Sequence, residues 1–161
     1  MRLILALATI LSLVFTQVFA QDFQKGWRAF QIGDYATTMK EWEPLAKQGY
    51  ADAQYNLGIM NDKGIGVLQD YAEALKLFRL AAKQGYADSQ YNLGVMSAIG
   101  HGVLQDNLIA HMWYNIASAN GNENAAEYRD KRATLMTASD ISKATAMARE
   151  CMASGYKKCG Y

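Results

Sequence analysis

The strongest constraint on this chain is that it copies itself. Residues 47–70 laid over residues 83–106, an offset of 36, agree at 18 of 24 positions, including KQGYAD, QYNLG, the GxGV pair and LQD. A fixed period of this size marks a supersecondary unit that cannot bury its own apolar face and must stack on copies of itself. Within one period, Ala53, Leu57 and Met60 share one side of a first helix from about Ala51 to Asp62. Residues 64–67 then break the pattern with two glycines. A second helix from about Tyr71 to Lys83 buries Ala74, Leu75, Phe78, Ala81 and Ala82, and Gly85 ends it. No alternating strand pattern occurs, so the expected fold is an all-α solenoid of stacked antiparallel helix pairs. Gly58 and Gly94 in mid-helix cost about 1 kcal/mol against alanine, which calls for a packing reason.

The flanks depart from the repeat as terminal units must. A shorter unit at 22–48, with Gly26, Gly33, Asp34, Tyr35, Trp42 and Gly49, matches the tetratricopeptide pattern and reads as an amino-terminal cap. Pro44 has no amide hydrogen and is expected to break or kink its second helix near Glu43. Repeat units are expected at 51–84 and 87–120, followed by capping helices over 123–161. One of these runs from Glu123 to about Leu135, where Arg129 replaces Leu57 and Leu93. The last opens at the Thr137–Asp140 capping box.

At the amino terminus, Arg2, the apolar run from Leu3 and the sequence Val18-Phe19-Ala20 read as an export signal over residues 1–20, cleaved after Ala20. A single membrane anchor is the alternative. Cleavage makes residues 21–161 one soluble domain in the periplasm or secreted, with no stable membrane anchor. Without Arg2, basic and acidic side chains balance at 15 each, so nothing steers the protein onto nucleic acid. Export also puts Cys151 and Cys159 where a disulfide can persist. A continuous helix would hold their Cα atoms about 12 Å apart at its usual rise, too far to bridge, so pairing requires a reversal for which Gly155 is suited. The alternative is two free thiols.

The segment ADAQYNLGIMNDKGIGVLQDYAEALKLFRLAAKQG resembles a Sel1-like repeat, a tetratricopeptide relative with a longer inter-helix loop. HMWYNIASANGNENA and the helix ending ARECMASGYKKC are similar to the closing segment of small exported bacterial Sel1-like proteins, so the resemblance covers most of residues 22–161. It implies an adaptor or scaffold that binds partners, with no shared chemistry and no cofactor. The resemblance also places first helices on the inner, concave face. The non-core positions Tyr55, Asn56, Ile59 and Lys63, then Tyr91, Asn92, Val95 and Ile99, with Trp27 and Gln24 extending the strip into the cap, are the expected ligand-facing residues. Amides that both donate and accept, beside flat phenol rings, suit a peptide. The same residues could instead brace neighbouring helices from within.

Candidate chemistry is sparse. His101 occupies the loop position of Ile65 and reads as a tolerated exposed residue, while His111 occupies that of Leu75 and reads as partly buried on a helix face. Ser154-Gly155-Tyr156-Lys157 has the S-x-x-K spacing of penicillin-recognising enzymes, and one disulfide-rich branch of Sel1-like proteins has been linked to penicillin binding and hydrolysis. That branch closes its repeats with cysteine pairs, which these repeats lack, and the motif's partner sequences are missing. The expectation is therefore no enzyme and no metal, with a protein or peptide of the cell envelope as partner. Peptidoglycan is the alternative ligand, together with a penicillin-binding or β-lactamase-like role.

Overall fold

A computed structural model describes residues 22–160; the expected export signal lies outside the described residues. A first helix, α1, spans residues 22–31. It is followed by α2 (Tyr35–Lys47), α3 (Ala51–Lys63), α4 (Tyr71–Ala82), α5 (Ala87–Ile99), α6 (Asn107–Ala119), α7 (Ala125–Ala133) and α8 (Ala138–Ala153), with no strand among the described residues. The architecture is the all-helical repeat solenoid, and the α3 and α4 ends fall within one residue of the expected ones.

Each second helix starts on a side chain that takes its free amides. Asp70 Oδ1 accepts from Ala72 N at 2.9 Å and Glu73 N at 3.0 Å, and Asp106 Oδ1 accepts from Leu108 N and Ile109 N at 2.8 and 3.1 Å. Asp34 and Thr137 cap α2 and α8 in the same way. First helices α3 and α5 close on Gly64 and Gly100 in left-handed conformation, at φ 66° and 80°.

In the first three helix pairs stacking is locked by a glycine facing an aromatic ring. Trp42, Phe78 and Tyr114 recur at the repeat period and are buried. A β-carbon at Gly26 would lie 2.5 Å from Trp42, one at Gly58 2.7 Å from Phe78, and one at Gly94 2.7 Å from Tyr114. The mid-helix glycines thus exist to admit these rings. A buried polar ladder crosses the repeats beside them. Gln54 Nε2 donates to the Ala46 carbonyl at 2.9 Å, and Gln54 Oε1 accepts from Gln84 at 2.8 Å. One repeat on, Gln90 donates to the Ala82 carbonyl at 3.1 Å and accepts from Asn120 at 2.7 Å. The ladder pairs helix-end carbonyls that stacking removes from water.

Three expectations need correction. Pro44 does not break α2, which runs on to Lys47; Lys40, whose carbonyl loses its donor, is exposed, so water can serve it. Helix α7 is shorter at both ends than Glu123–Leu135, because Asn122 Oδ1 accepts from Asn124 N in a turn before it, and Leu135 N and Met136 N bond back to Arg132 and Ala133 after it. His101 is not freely exposed: its ring lies 4.0 Å, centroid to centroid, from that of Tyr71.

After α8 the chain reverses at Gly155 (φ 63°), and Cys151 and Cys159 form a disulfide with Cα atoms 4.6 Å apart. Tyr156 also sits at positive φ, 61°, a conformation unfavourable for a bulky residue. It is held there because its hydroxyl exchanges hydrogen bonds with the Asn120 side chain at 2.8 and 3.0 Å. The tail is thereby tied to the end of α6 as well as to α8.

Candidate interaction face

The first helices lie side by side through aromatic contacts that repeat with the period. Phe23 of α1 stacks on Trp42 at 5.4 Å and meets Tyr50 at 5.4 Å. Tyr55 of α3 does the same with Phe78 at 6.1 Å and Tyr86 at 5.1 Å. Tyr91 of α5 packs on Tyr114 at 5.6 Å and, edge-on, on Tyr128 of α7 at 5.4 Å. The strip is therefore continuous from α3 through α5 to α7.

Its members divide by exposure. Tyr55, Asn56, Ile59, Tyr91, Asn92 and Val95 are half-buried, while Gln24 and Lys63 are exposed. Ile99 is 50 % exposed and Trp27 36 %, the latter stacked on Phe30 and Trp42 at 5.7 and 6.2 Å. The polar atoms already have neighbours: Asn56 Nδ2 donates to the Asp52 carbonyl at 2.7 Å, and the Asn92 side chain lies beside the Tyr55 phenol. The Tyr86 hydroxyl donates to Asp52 Oδ1 at 3.1 Å, tying one repeat to the next. Asn122 Nδ2 makes the matching bond to Asp88 at 2.7 Å.

Electrically the strip is quiet. Burial, assisted by Asp52, raises the Tyr86 phenol far above its ordinary value. Burial raises Tyr91 likewise, with Tyr128 as the second cause, and pushes Tyr114 up to about 12. These rings remain neutral donors at any physiological pH, presenting apolar surface with hydroxyl edges. Phe23, Tyr86 and Tyr128 belong to the strip and escaped sequence reasoning. Tyr50 and Tyr86 recur in KQGYAD, and that recurrence was the available signal.

The other candidates settle differently. His111 is 3 % exposed, deeper than a partly buried helix face, and burial lowers its pKa, with Arg129 contributing in the same direction. The Ser154 hydroxyl donates to the Cys151 carbonyl at 2.7 Å and accepts from Lys157 N and Lys158 N at 3.1 and 2.9 Å. It acts as a turn-forming group at the end of α8. Among the described residues no group of three His, Cys, Asp or Glu side chains gathers that could hold a metal ion, and no helix is long and apolar enough to cross a membrane.

Comparison with known proteins agrees with this architecture. A family model described as the Sel1 repeat matches residues 51–86 and 87–122. The chain is similar to the crystal structure of a protective antigen present in uropathogenic Escherichia coli strains that displays an SLR fold, at TM-score 0.81 and 26% identity. That match covers 88% of this chain and 31% of the other, so the chain spans about a third of the antigen's length. A Sel1 repeat protein from Oxalobacter formigenes is similar at TM-score 0.65 and 28% identity, over 78% of this chain and 98% of the other. No curated protein matches.

Proposed function

We propose that the chain, which carries two Sel1 repeats, units that generally serve as protein-interaction modules, is an exported, non-catalytic adaptor that binds a protein or peptide of the cell envelope along its first helices. The observation that carries this reading is the strip itself. Trp27, Ile59, Tyr91, Val95 and Ile99 offer partly exposed apolar surface on successive first helices, with neutral phenols and amides between them. An extended chain can lay alternate side chains on such rings while its backbone meets the polar edges. The Cys151–Cys159 disulfide fits an oxidising compartment, and the apolar leader at residues 1–20 supplies a route there.

Asn56 and Asn92 are the amides assigned to the ligand. Replacing both with alanine is expected to weaken partner binding by about 1–3 kcal/mol, the cost of unpaired buried polar groups, with little change in melting temperature. The partner is first captured by pull-down of the protein from envelope extract, with purified peptidoglycan as the parallel bait. Retention by peptidoglycan alone transfers the role to cell-wall binding. A double variant that binds like the parent but melts lower makes these amides internal braces, given the bond of Asn56 to the Asp52 carbonyl and the place of Asn92 beside Tyr55.

A further inference from the structure

The junction with the last helix pair breaks a contact that the earlier repeats keep. In the first two stacks an apolar residue early in a second helix shares a groove with an apolar residue of the next first helix, Met39 with Leu57 and then Leu75 with Leu93. One period on, these positions are His111 of α6 and Arg129 of α7. Two side chains that can both be positive stand where two aliphatics stood. His111 is 3 % exposed, and its Nδ1 finds no hydrogen-bond partner within the protein. On α7, Arg132 Nε is likewise buried and unpartnered, and the same guanidinium meets Asn107, one turn before His111, only at 3.4 Å. Helices α6 and α7 thus each bring an orphaned polar atom to their contact, which natively folded cores rarely tolerate.

Among the described residues no carboxylate is buried beside the imidazole. On α7 the nearest acid is Asp130, which Arg129 binds at 2.8 Å and whose side chain is 69 % exposed; Glu127 and Lys131 pair with each other at 2.6 Å in the open. From α5 no charged residue turns inward, since Asp88 is exposed and bound by Asn122, and the Tyr91 phenol is neutral. Helix α8 turns Ala144, Ala148 and Cys151 inward, leaves Lys143, Arg149 and Glu150 exposed, and holds Asp140 on the Thr137 hydroxyl at its start. The buried residues of α4 are all apolar. Burial first and Arg129 second therefore hold the His111 pKa below the ordinary 6.5, with Asp130 opposing. The element that yields most readily is α7, which packs chiefly on α6 and buries only Ala125. It also carries Tyr128, whose ring meets Tyr91 at 5.4 Å and Tyr114 at 5.9 Å.

We propose that the α6–α7 contact is an acid-sensitive latch: protonation of His111 sets a buried charge against Arg129, α7 lifts from α6 so that the imidazolium reaches water, and Tyr128 leaves Tyr91 at the end of the first-helix strip. The latch does not depend on what the strip binds, so the partner-binding proposal stands or falls separately. The open form takes up the proton at the ordinary 6.5 and the closed form only at lower pH. The opening constant of α7 is therefore level above that value and rises below it, by at most about tenfold at pH 5.5. Hydrogen exchange followed by mass spectrometry, on protein expressed from the full-length sequence and at pH 7.5 and 5.5, is the test, with rates corrected for the intrinsic pH dependence of amide exchange. The amides of α7 are expected to exchange about three- to tenfold faster at the lower pH. His111→Leu, which installs the residue of position 75, and His111→Gln, which is neutral at both pH values, are each expected to remove the acceleration. Corrected α7 rates that do not change with pH, while those of α5 and α6 rise, overturn the latch, because His111 then meets water only when the whole chain unfolds. An acceleration that persists in either variant overturns it too, by placing the titrating group elsewhere.

Discussion

Gly58 and Gly94 show how one residue can decide stacking. Alanine would recover about 1 kcal/mol of helix propensity at either site. Its methyl, however, would stand 2.7 Å from the ring of Phe78 or Tyr114, both 1 % exposed and unable to swing away. Overpacking of this kind costs about 1–3 kcal/mol, so Gly58→Ala is expected to lower stability in urea unfolding by a net 1 kcal/mol or so. His111 gives a second residue-scale outcome. Its folded pKa lies below the ordinary 6.5 because burial penalises the charged form. The unfolded chain therefore takes up the proton first, and stability falls as pH drops below about 6.5, levelling off below the folded pKa. His111→Leu, which installs the residue found at the equivalent position 75, is expected to flatten melting temperature against pH across that window. An unchanged slope would mean that other groups carry the dependence.

The closing element is fastened at three points: the disulfide, the Tyr156–Asn120 hydrogen bonds and the packing of Ala144, Ala148 and Cys151 into the core around α6. Closing a loop of nine residues removes about 2.5 kcal/mol of unfolded-state entropy. Cys151→Ser/Cys159→Ser is expected to lose about that much by denaturant titration. Intact mass before and after reduction should confirm the bridge in the parent. The reversal was legible in the sequence, since Gly155 follows a helix and two cysteines flank it. The second tether was not. Tyr156 at positive φ is an unfavourable local choice, and its distant partner Asn120 helps to make it favourable, together with the bond of its amide to the Cys151 carbonyl. Pro44 illustrates the converse: a local rule that forbids a helix yields when the orphaned carbonyl faces water and the flanking turns are held by Trp42, Leu45 and Ala46 in the core.

At the scale of the whole molecule, a solenoid's stability is close to a sum of unit and neighbour terms, so it is uneven along the chain. Helix α7 has nine residues, of which only Ala125 is buried, whereas α6 buries seven. Native-state hydrogen exchange is expected to find the α7 amides opening well before those of α5 and α6. Protection in α7 equal to that in α6 would contradict this ordering. It would indicate unfolding as a single unit.

What the sequence by itself determined was whatever repeats. The 36-residue period marked the helix pairs, and apolar spacing marked inward residues such as Ala53, Leu57, Phe78 and Ala81. The aspartates at 70 and 106 and the glycines at 64 and 100 began and ended helices through contacts a few residues away. Such features are written in local order because helix geometry converts spacing directly into a face. Tertiary structure decided everything that depends on a partner remote in the chain. It set the ring that each glycine receives, the Gln54 and Gln90 ladder across repeats and the depth of His111. It placed Asn92 beside Tyr55. Periodicity states that a side chain leaves the core on a given side, but not what it meets there. That is set by the angle at which one helix pair stacks on the next, which arises only when both are folded and in contact.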